Sequence, residues 1–180
     1  WKFLIENALE TYHTGTVHQT SLGKQQSEII PTNGNWLCLR VFVDGKDSVS
    51  VLSSSDDIFP IHPNLDGEER TSTYFTNILP CTQFVFAPDA MWWLAINPVS
   101  AGETTLEVGS CFPARNQASD KFDRISKAYF DRLDTATPED NAICEAQHLG
   151  NLSNPAHQGR FGAEEALVHK LANWVLDQTL

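Results

Sequence analysis

The sequence predicts an α+β domain in which one curved antiparallel sheet packs on a long C-terminal helix. Two observations carry this reading. β-like runs follow one another with short connections through residues 36–112, and helical periodicity is confined to the two ends of the chain. Strands gathered in the middle and helices outside them argue against a doubly wound parallel sheet.

Residues 1–12 repeat apolar side chains at helical spacing (Leu4, Ile5, Ala8, Leu9, Tyr12) with Lys2, Glu6 and Glu10 between them, and predict a helix that ends near Gly15. Residues 19–35 are polar and carry Gly23, Pro31 and Gly34, which predicts a long loop of the kind that often sits over a site. Residues 36–43 predict a strand closed by the Asp44-Gly45 turn signal, with residues 48–52 as its hairpin partner. Residues 53–69, with Pro60, Pro63 and Asp66-Gly67, read as a second polar excursion. Strands are expected at 72–79, 83–87, 91–98 and 104–112, joined at Pro80-Cys81, Pro88-Asp89 and Ala101-Gly102, which makes an antiparallel meander.

Beyond Pro113 the period changes. Phe122, Ile125, Tyr129 and Leu133 recur at helical spacing, and Pro138, tolerated in a first turn, is expected to open a further helix over 139–148. Gly159 and Gly162 break the chain before a final helix, 163–179, whose Leu167, Leu171, Trp174 and Val175 form one apolar stripe. Closing the concave face of the sheet with that helix leaves a cavity between the two.

The 180 residues, 41% hydrophobic and 19% charged, fit a single globular domain spanning 1–180. Twelve Lys plus Arg face 23 Asp plus Glu, a formal net charge of −11. Clustered cations are what a phosphate backbone or an anionic bilayer surface requires, so neither nucleic acid nor membrane is an expected partner. The longest apolar runs, such as 90–96, fall short of the roughly 20 residues that span a bilayer. No secretory signal pattern opens the chain, which starts inside an amphipathic pattern and is expected to be part of a longer, cytoplasmic protein. Cys38, Cys81, Cys111 and Cys144 are widely scattered and read as free thiols in a reducing compartment in preference to two disulfides.

The chemistry is concentrated in the stretch Glu10-Thr-Tyr-His13-Thr-Gly-Thr-Val-His18. Five residues on an unbroken helix rotate by about 140°, so His13 and His18 would not share a face. Gly15 offers a break that swings both imidazoles onto one point. Two imidazoles and one carboxylate on one face of an octahedron are the ligand set of non-haem iron(II) oxygenases. The third donor must come from elsewhere, and Asp140, at an expected helix start, is the leading candidate with its neighbour Glu139 as rival. Each feature alone also has an ordinary explanation, since histidine pairs are common and helix starts favour acids.

These residues, together with Glu6-Asn7 before them, resemble the iron-binding signature of the catalytic domain of Rieske non-haem iron oxygenase α subunits, the ring-hydroxylating oxygenases. The later segment with Glu139-Asp140, Cys144-Glu145, Gln147, Gly150 and Gly159-Arg160 is similar to the part of that family bearing the third ligand. The resemblance implies a helix-grip, START-like fold in which His13, His18 and Asp140 ligate a mononuclear Fe(II). It implies that Glu10 takes the catalytic position of the acid passing electrons from a neighbouring subunit's Rieske cluster. It also implies a reductase or ferredoxin donor, a homotrimer, and O₂-dependent mono- or cis-dihydroxylation, or oxidative dealkylation, of a small apolar or aromatic substrate. Three departures stand out. Glu10 replaces the commoner Asp, Thr14 replaces a Cys, and no Cys-x-His with Cys-x-x-His is present to hold a [2Fe–2S] centre. The Rieske domain is therefore expected upstream of Trp1 or on a partner.

Tyr12 is a candidate for the pocket or the core, Gln147 for orienting a neighbouring group or capping, and His62, His148, His157 and His169 for surface or structural positions. Trp92 and Trp93, adjacent on a strand, must face opposite sides, so one of them can line the cavity. The alternative function is a non-catalytic START-like small-molecule-binding module, which would have no need of the three donors. A hydrolytic zinc site is weaker, because no His-Glu-x-x-His supplies a water-activating Glu.

Overall fold

A computed structural model describes residues 1–42, 48–52, 57–153 and 159–180. The elements run α1 (Lys2–Asn7), β1 (Gln26–Ile30), β2 (Trp36–Phe42), β3 (Thr73–Ile78), β4 (Thr82–Phe86), β5 (Met91–Ser100), β6 (Glu103–Cys111), α2 (Ala114–Gln117), α3 (Phe122–Asn151) and α4 (Ala166–Thr179). All six strands form one antiparallel sheet in sequence order, the meander that short connections dictate.

Alternation decides which residues meet the helices. Leu37, Leu39 and Val41 of β2 share a face with Phe75 of β3, Val85 of β4, and Trp92 and Ile96 of β5, as their cross-strand pairing requires. Ile5 and Leu9 from the start of the chain and Leu167, Val168 and Leu171 of α4 complete this core with the β2 residues. Trp92 faces inward and is buried. Trp93 lies on the other face directly opposite Gly109, where a Cβ would fall 2.4 Å from the indole, so a glycine is required there.

Four expectations are corrected. The predicted loop over 19–35 contains β1. Its polar sequence hides it because it is an edge strand bonded to β2 alone, and such edges favour charged and polar residues. The expected hairpin partner of β2, residues 48–52, is not a strand, and β2 pairs with β1 and β3 instead. The Asp44-Gly45 signal lies outside the described residues. The N-terminal helix stops at Asn7, well before Tyr12.

Pro138, finally, opens no helix but sits inside the 30-residue α3. A proline costs a helix one N–H and clashes with the carbonyl four residues back. Here both Pro138 and Asp134 lie on the exposed side, where water can serve the freed carbonyl, while Arg132, Ala136 and Cys144 hold the helix down on its buried side.

A second cluster anchors the first half of α3. Tyr129 donates from its hydroxyl to Asp89 Oδ2 at 2.6 Å and accepts from the Phe59 N–H at 2.8 Å, and Ser50 Oγ donates to Asp89 Oδ1 at 2.8 Å. Burial, reinforced by the Asp89 charge, raises the Tyr129 pKa and keeps it a donor. Phe59 and Phe112 pack on the ring, and Phe122 packs on both of them. Tyr129→Phe leaves a buried carboxylate and a buried N–H each short of a partner, and urea unfolding is expected to register a loss of about 1–3 kcal/mol.

Candidate metal centre

The stretch from Glu10 to Gly23 is built from tight turns, although the sequence predicts a first helix that runs on to near Gly15, and its threonines explain why. Thr14 Oγ1 donates to the Thr11 carbonyl and Thr16 Oγ1 to the His13 carbonyl, side-chain bonds that compete with an α-helical ladder. The result is a 3₁₀ turn, Tyr12–Gly15, carrying His13, followed by a further turn carrying His18. That second turn closes on one oxygen: the carbonyl of His18 accepts from the N–H groups of Ser21, Leu22 and Gly23. Gly23 closes it with φ 73°, a left-handed backbone that side chains resist.

Through these turns the two imidazoles come to 5.3 Å between ring centres, at 70° to one another. One ligating atom from each of His13, His18 and Asp140 lies within 4.8 Å of the others. Asp140 Oδ1 is 2.9 Å from His18 Nε2 and 3.7 Å from His13 Nε2. Asn7 Nδ2 steadies that same oxygen from the end of α1, donating to it at 2.8 Å. The expected convergence is therefore present.

Each imidazole is also held from behind. His13 Nδ1 meets Glu10 Oε1 at 2.5 Å, and Glu10 Oε2 accepts from the His13 backbone N–H at 3.2 Å. His18 Nδ1 meets Glu139 Oε2 at 2.7 Å, and Ser21 Oγ donates to that same oxygen at 2.6 Å. Glu139, the rival for the third ligand position, thus stands behind His18, while its neighbour Asp140 faces both Nε2 atoms. Carboxylates on both Nδ1 atoms place the Nδ1 proton there and leave each Nε2 lone pair for a metal. Three carboxylates around two imidazoles also favour a cation electrostatically. Burial, the largest influence on His18, disfavours its charged form; the hydrogen bonds and charges of Asp140 and Glu139 together outweigh it and raise the pKa above the ordinary histidine value. The donor set and its backing fit a divalent cation of the two-histidine, one-carboxylate kind.

Asp140 was expected near a helix start. It lies instead deep inside α3, so no N-terminal dipole holds it there. Glu10 is 7% exposed and His18 3%, so neither is an ordinary solvent-facing side chain.

A cavity of about 90 Å³ opens on the three donors. Its walls come from the N-terminal turns, α3 and the sheet, including Phe75, Trp92, Ile96 and Leu106, and Arg132 of α3 joins them. This corrects the expectation that the last helix roofs the cavity: none of the lining residues belongs to α4, whose Leu167 and Leu171 are buried in the core cluster with Leu37, Leu39 and Val41 of β2. Arg132, which sequence reasoning did not single out, carries the clearest additional chemistry. Its period within an amphipathic helix looked like any other, and a charged residue on that stripe was the available signal.

Tyr12 is exposed, with its hydroxyl donating to Glu165 at 3.4 Å, and belongs neither to pocket nor to core. Gln147 is exposed as well. His62, His148 and His169 stand apart from the centre, and His157 lies outside the described residues.

The whole chain, residues 1–180, matches the model of the ring hydroxylating alpha subunit catalytic domain, and the protein belongs to that family. It is thus a catalytic domain of the Rieske-type oxygenases, a class of oxidoreductases. No curated protein sequence matches it significantly. Among solved structures it is similar to the quaternary ammonium Rieske monooxygenase CntA with an inhibitor (21% identity, TM-score 0.63, 98% of this chain and 45% of that one). It is also similar to CntA with γ-butyrobetaine (20%, 0.60, 98% and 44%). A third structure is of a quaternary ammonium Rieske monooxygenase described for carnitine oxidation by gut microbiota and inter-subunit electron transfer (21%, 0.67, 98% and 46%). At these identities the likeness establishes the fold, and the chain spans less than half the length of these relatives.

All four cysteines are free, and no helix among the described residues is long and apolar enough to cross a membrane. Cys144 stands one turn beyond Asp140 on α3. Burial pushes its thiol up to about 12, with the Asp140 charge adding to the effect, so it stays a protonated thiol at neutral pH. Titration with an aromatic disulfide reagent at pH 8 under native conditions is expected to modify exposed Cys111 promptly and Cys144 only after unfolding.

Proposed function

We propose that the chain is the catalytic part of a mononuclear non-haem iron oxygenase, and that His13, His18 and Asp140 hold one Fe(II). The observation that carries this is the pairing of every histidine nitrogen: Nε2 atoms toward Asp140, Nδ1 atoms on Glu10 and Glu139. A passive carrier of the same shape has no use for such an arrangement. Bound there, iron would supply the redox chemistry, reducing O₂ with electrons delivered from a Rieske [2Fe–2S] centre on another domain or subunit.

The chain's own residues do the rest. Glu10 and Glu139 fix the ring orientations and raise imidazole basicity. Asn7 keeps Asp140 turned toward the imidazoles. The apolar walls exclude water and hold a small substrate beside the open side of the centre. Glu10 is the residue through which we route electrons from a neighbouring subunit, because it is bonded to a ligand imidazole. Inter-subunit transfer described for the quaternary ammonium monooxygenase motivates the same arrangement here, with a homotrimer and a reductase or ferredoxin as donor. The reaction we assign is hydroxylation, including mono- or cis-dihydroxylation and oxidative dealkylation.

Anaerobic reconstitution with Fe(II) is expected to give close to one iron per chain by colorimetric assay, and His13→Ala or Asp140→Ala to abolish uptake. Unchanged iron in both variants would overturn the reading. Glu139→Gln keeps the ligands but weakens the hold on His18, and competition against a chelator is expected to report a roughly 10- to 100-fold loss of metal affinity.

A further inference from the structure

Arg132 is 6% exposed, lines the cavity of the metal centre, and has no role in the arrangement described above. Its Nε donates to the Val49 carbonyl at 2.9 Å, and its guanidinium carbon lies 4.6 Å from the centre of the Trp92 ring. Arg40 and Arg124, both more exposed, each meet a carboxylate. Among the described residues, Arg132 has no carboxylate within ion-pair distance.

A guanidinium offers five N–H donors in a rigid fork, and the Val49 carbonyl occupies one of them. Taking such a charge out of water without a counter-ion is unfavourable. Burial lowers the Arg132 pKa to about 10, opposed by the charge of Asp140, so the group remains a cation at neutral pH. Once Asp140 binds a metal ion, its charge is shared with that ion and Arg132 loses much of the compensation it has.

We propose, on the reading that the centre binds iron, that Arg132 selects the substrate class: a small carboxylic acid whose carboxylate docks on this guanidinium. The fork accepts a planar two-oxygen group in a bidentate contact, and the flat indole of Trp92 beneath it holds the fork in place. Arg132 and Asp140 are eight residues apart on α3, a rise of about 12 Å. The acid head therefore binds at one end of the cavity, and its carbon chain or ring runs along Phe75, Ile96 and Leu106 toward the metal centre.

The test is calorimetric titration of the full-length protein, metal-free and metal-loaded, with benzoate and hexanoate against benzamide and hexanamide. Acids are expected to bind at least tenfold more tightly than amides in both metal states. Arg132→Lys should retain part of that preference and Arg132→Gln none. Equal binding of acid and amide by the wild type, no binding of either acid, or an unchanged preference in Arg132→Gln overturns the proposal. So does a preference seen only with metal present, which would mean that the carboxylate coordinates the ion. If circular dichroism finds Arg132→Gln unfolded, the wild-type ratio and the Lys variant decide. Iron content of the same wild-type sample separates the two readings: acids bound without iron uptake overturn the metal assignment alone, and iron held with indifference to acids overturns the Arg132 assignment alone.

Discussion

The structure depends on a reciprocal pairing of imidazoles and carboxylates. Glu10 and Glu139 each hold an Nδ1, and Asp140 faces both Nε2 atoms. An imidazole with a single anchor can rotate about χ2, but one gripped at its rear nitrogen presents the other in a fixed direction. The backing is also why three acids can stand close together here. Each has a donor, whether imidazole, Ser21 hydroxyl, Asn7 amide or backbone N–H, so their mutual repulsion is offset before any metal arrives.

The rest of the fold brings those partners together from opposite ends of the chain. The N-terminal turns supply both histidines, Glu10 and Ser21, and α3 supplies Glu139 and Asp140 more than a hundred residues later. Ile5 and Leu9, fully buried against β2 and α4, fix the first group to the core. Tyr129 and its bonds to Asp89 and Phe59 fix the second. The inward face of the sheet packs with the N-terminal segment and α4, and sheet residues, the N-terminal turns and α3 together line the cavity.

Much of this was legible in the amino acids. Runs of β-forming residues between turn signals marked β2 to β6, and the spacing of Glu10, His13 and His18 pointed to the place where the imidazoles converge, because few residue types carry that chemistry whatever the backbone does. Less legible was anything set by tertiary contact. β1 is polar because it is an edge, so its hydropathy resembles a loop. The α1 pattern continues through Leu9 since Leu9 is buried, yet the helix has already ended; burial sustains the period after the backbone has left it. Choosing between Glu139 and Asp140 was beyond a sequence, as both are acids at adjacent positions and only the packing angle of α3 decides which faces the imidazoles. Arg132 was hidden for the opposite reason, since a charge on an amphipathic helix ordinarily points to water.

The continuity of α3 through Pro138 explains how two adjacent acids serve one histidine. Consecutive helical residues diverge by about 100°, whereas consecutive strand residues point to opposite faces. A helix thus lets Glu139 and Asp140 straddle a single imidazole, one reaching Nδ1 at 2.7 Å and the other Nε2 at 2.9 Å. Had the helix begun at Pro138, both acids would lie in a first turn with open backbone N–H groups, free to fray and to compete for the same carboxylates. Embedded in the helix interior, they have no backbone donors to attract them. Their direction is set by the same rod that Tyr129 and Arg132 fasten to Asp89 and to the Val49 carbonyl.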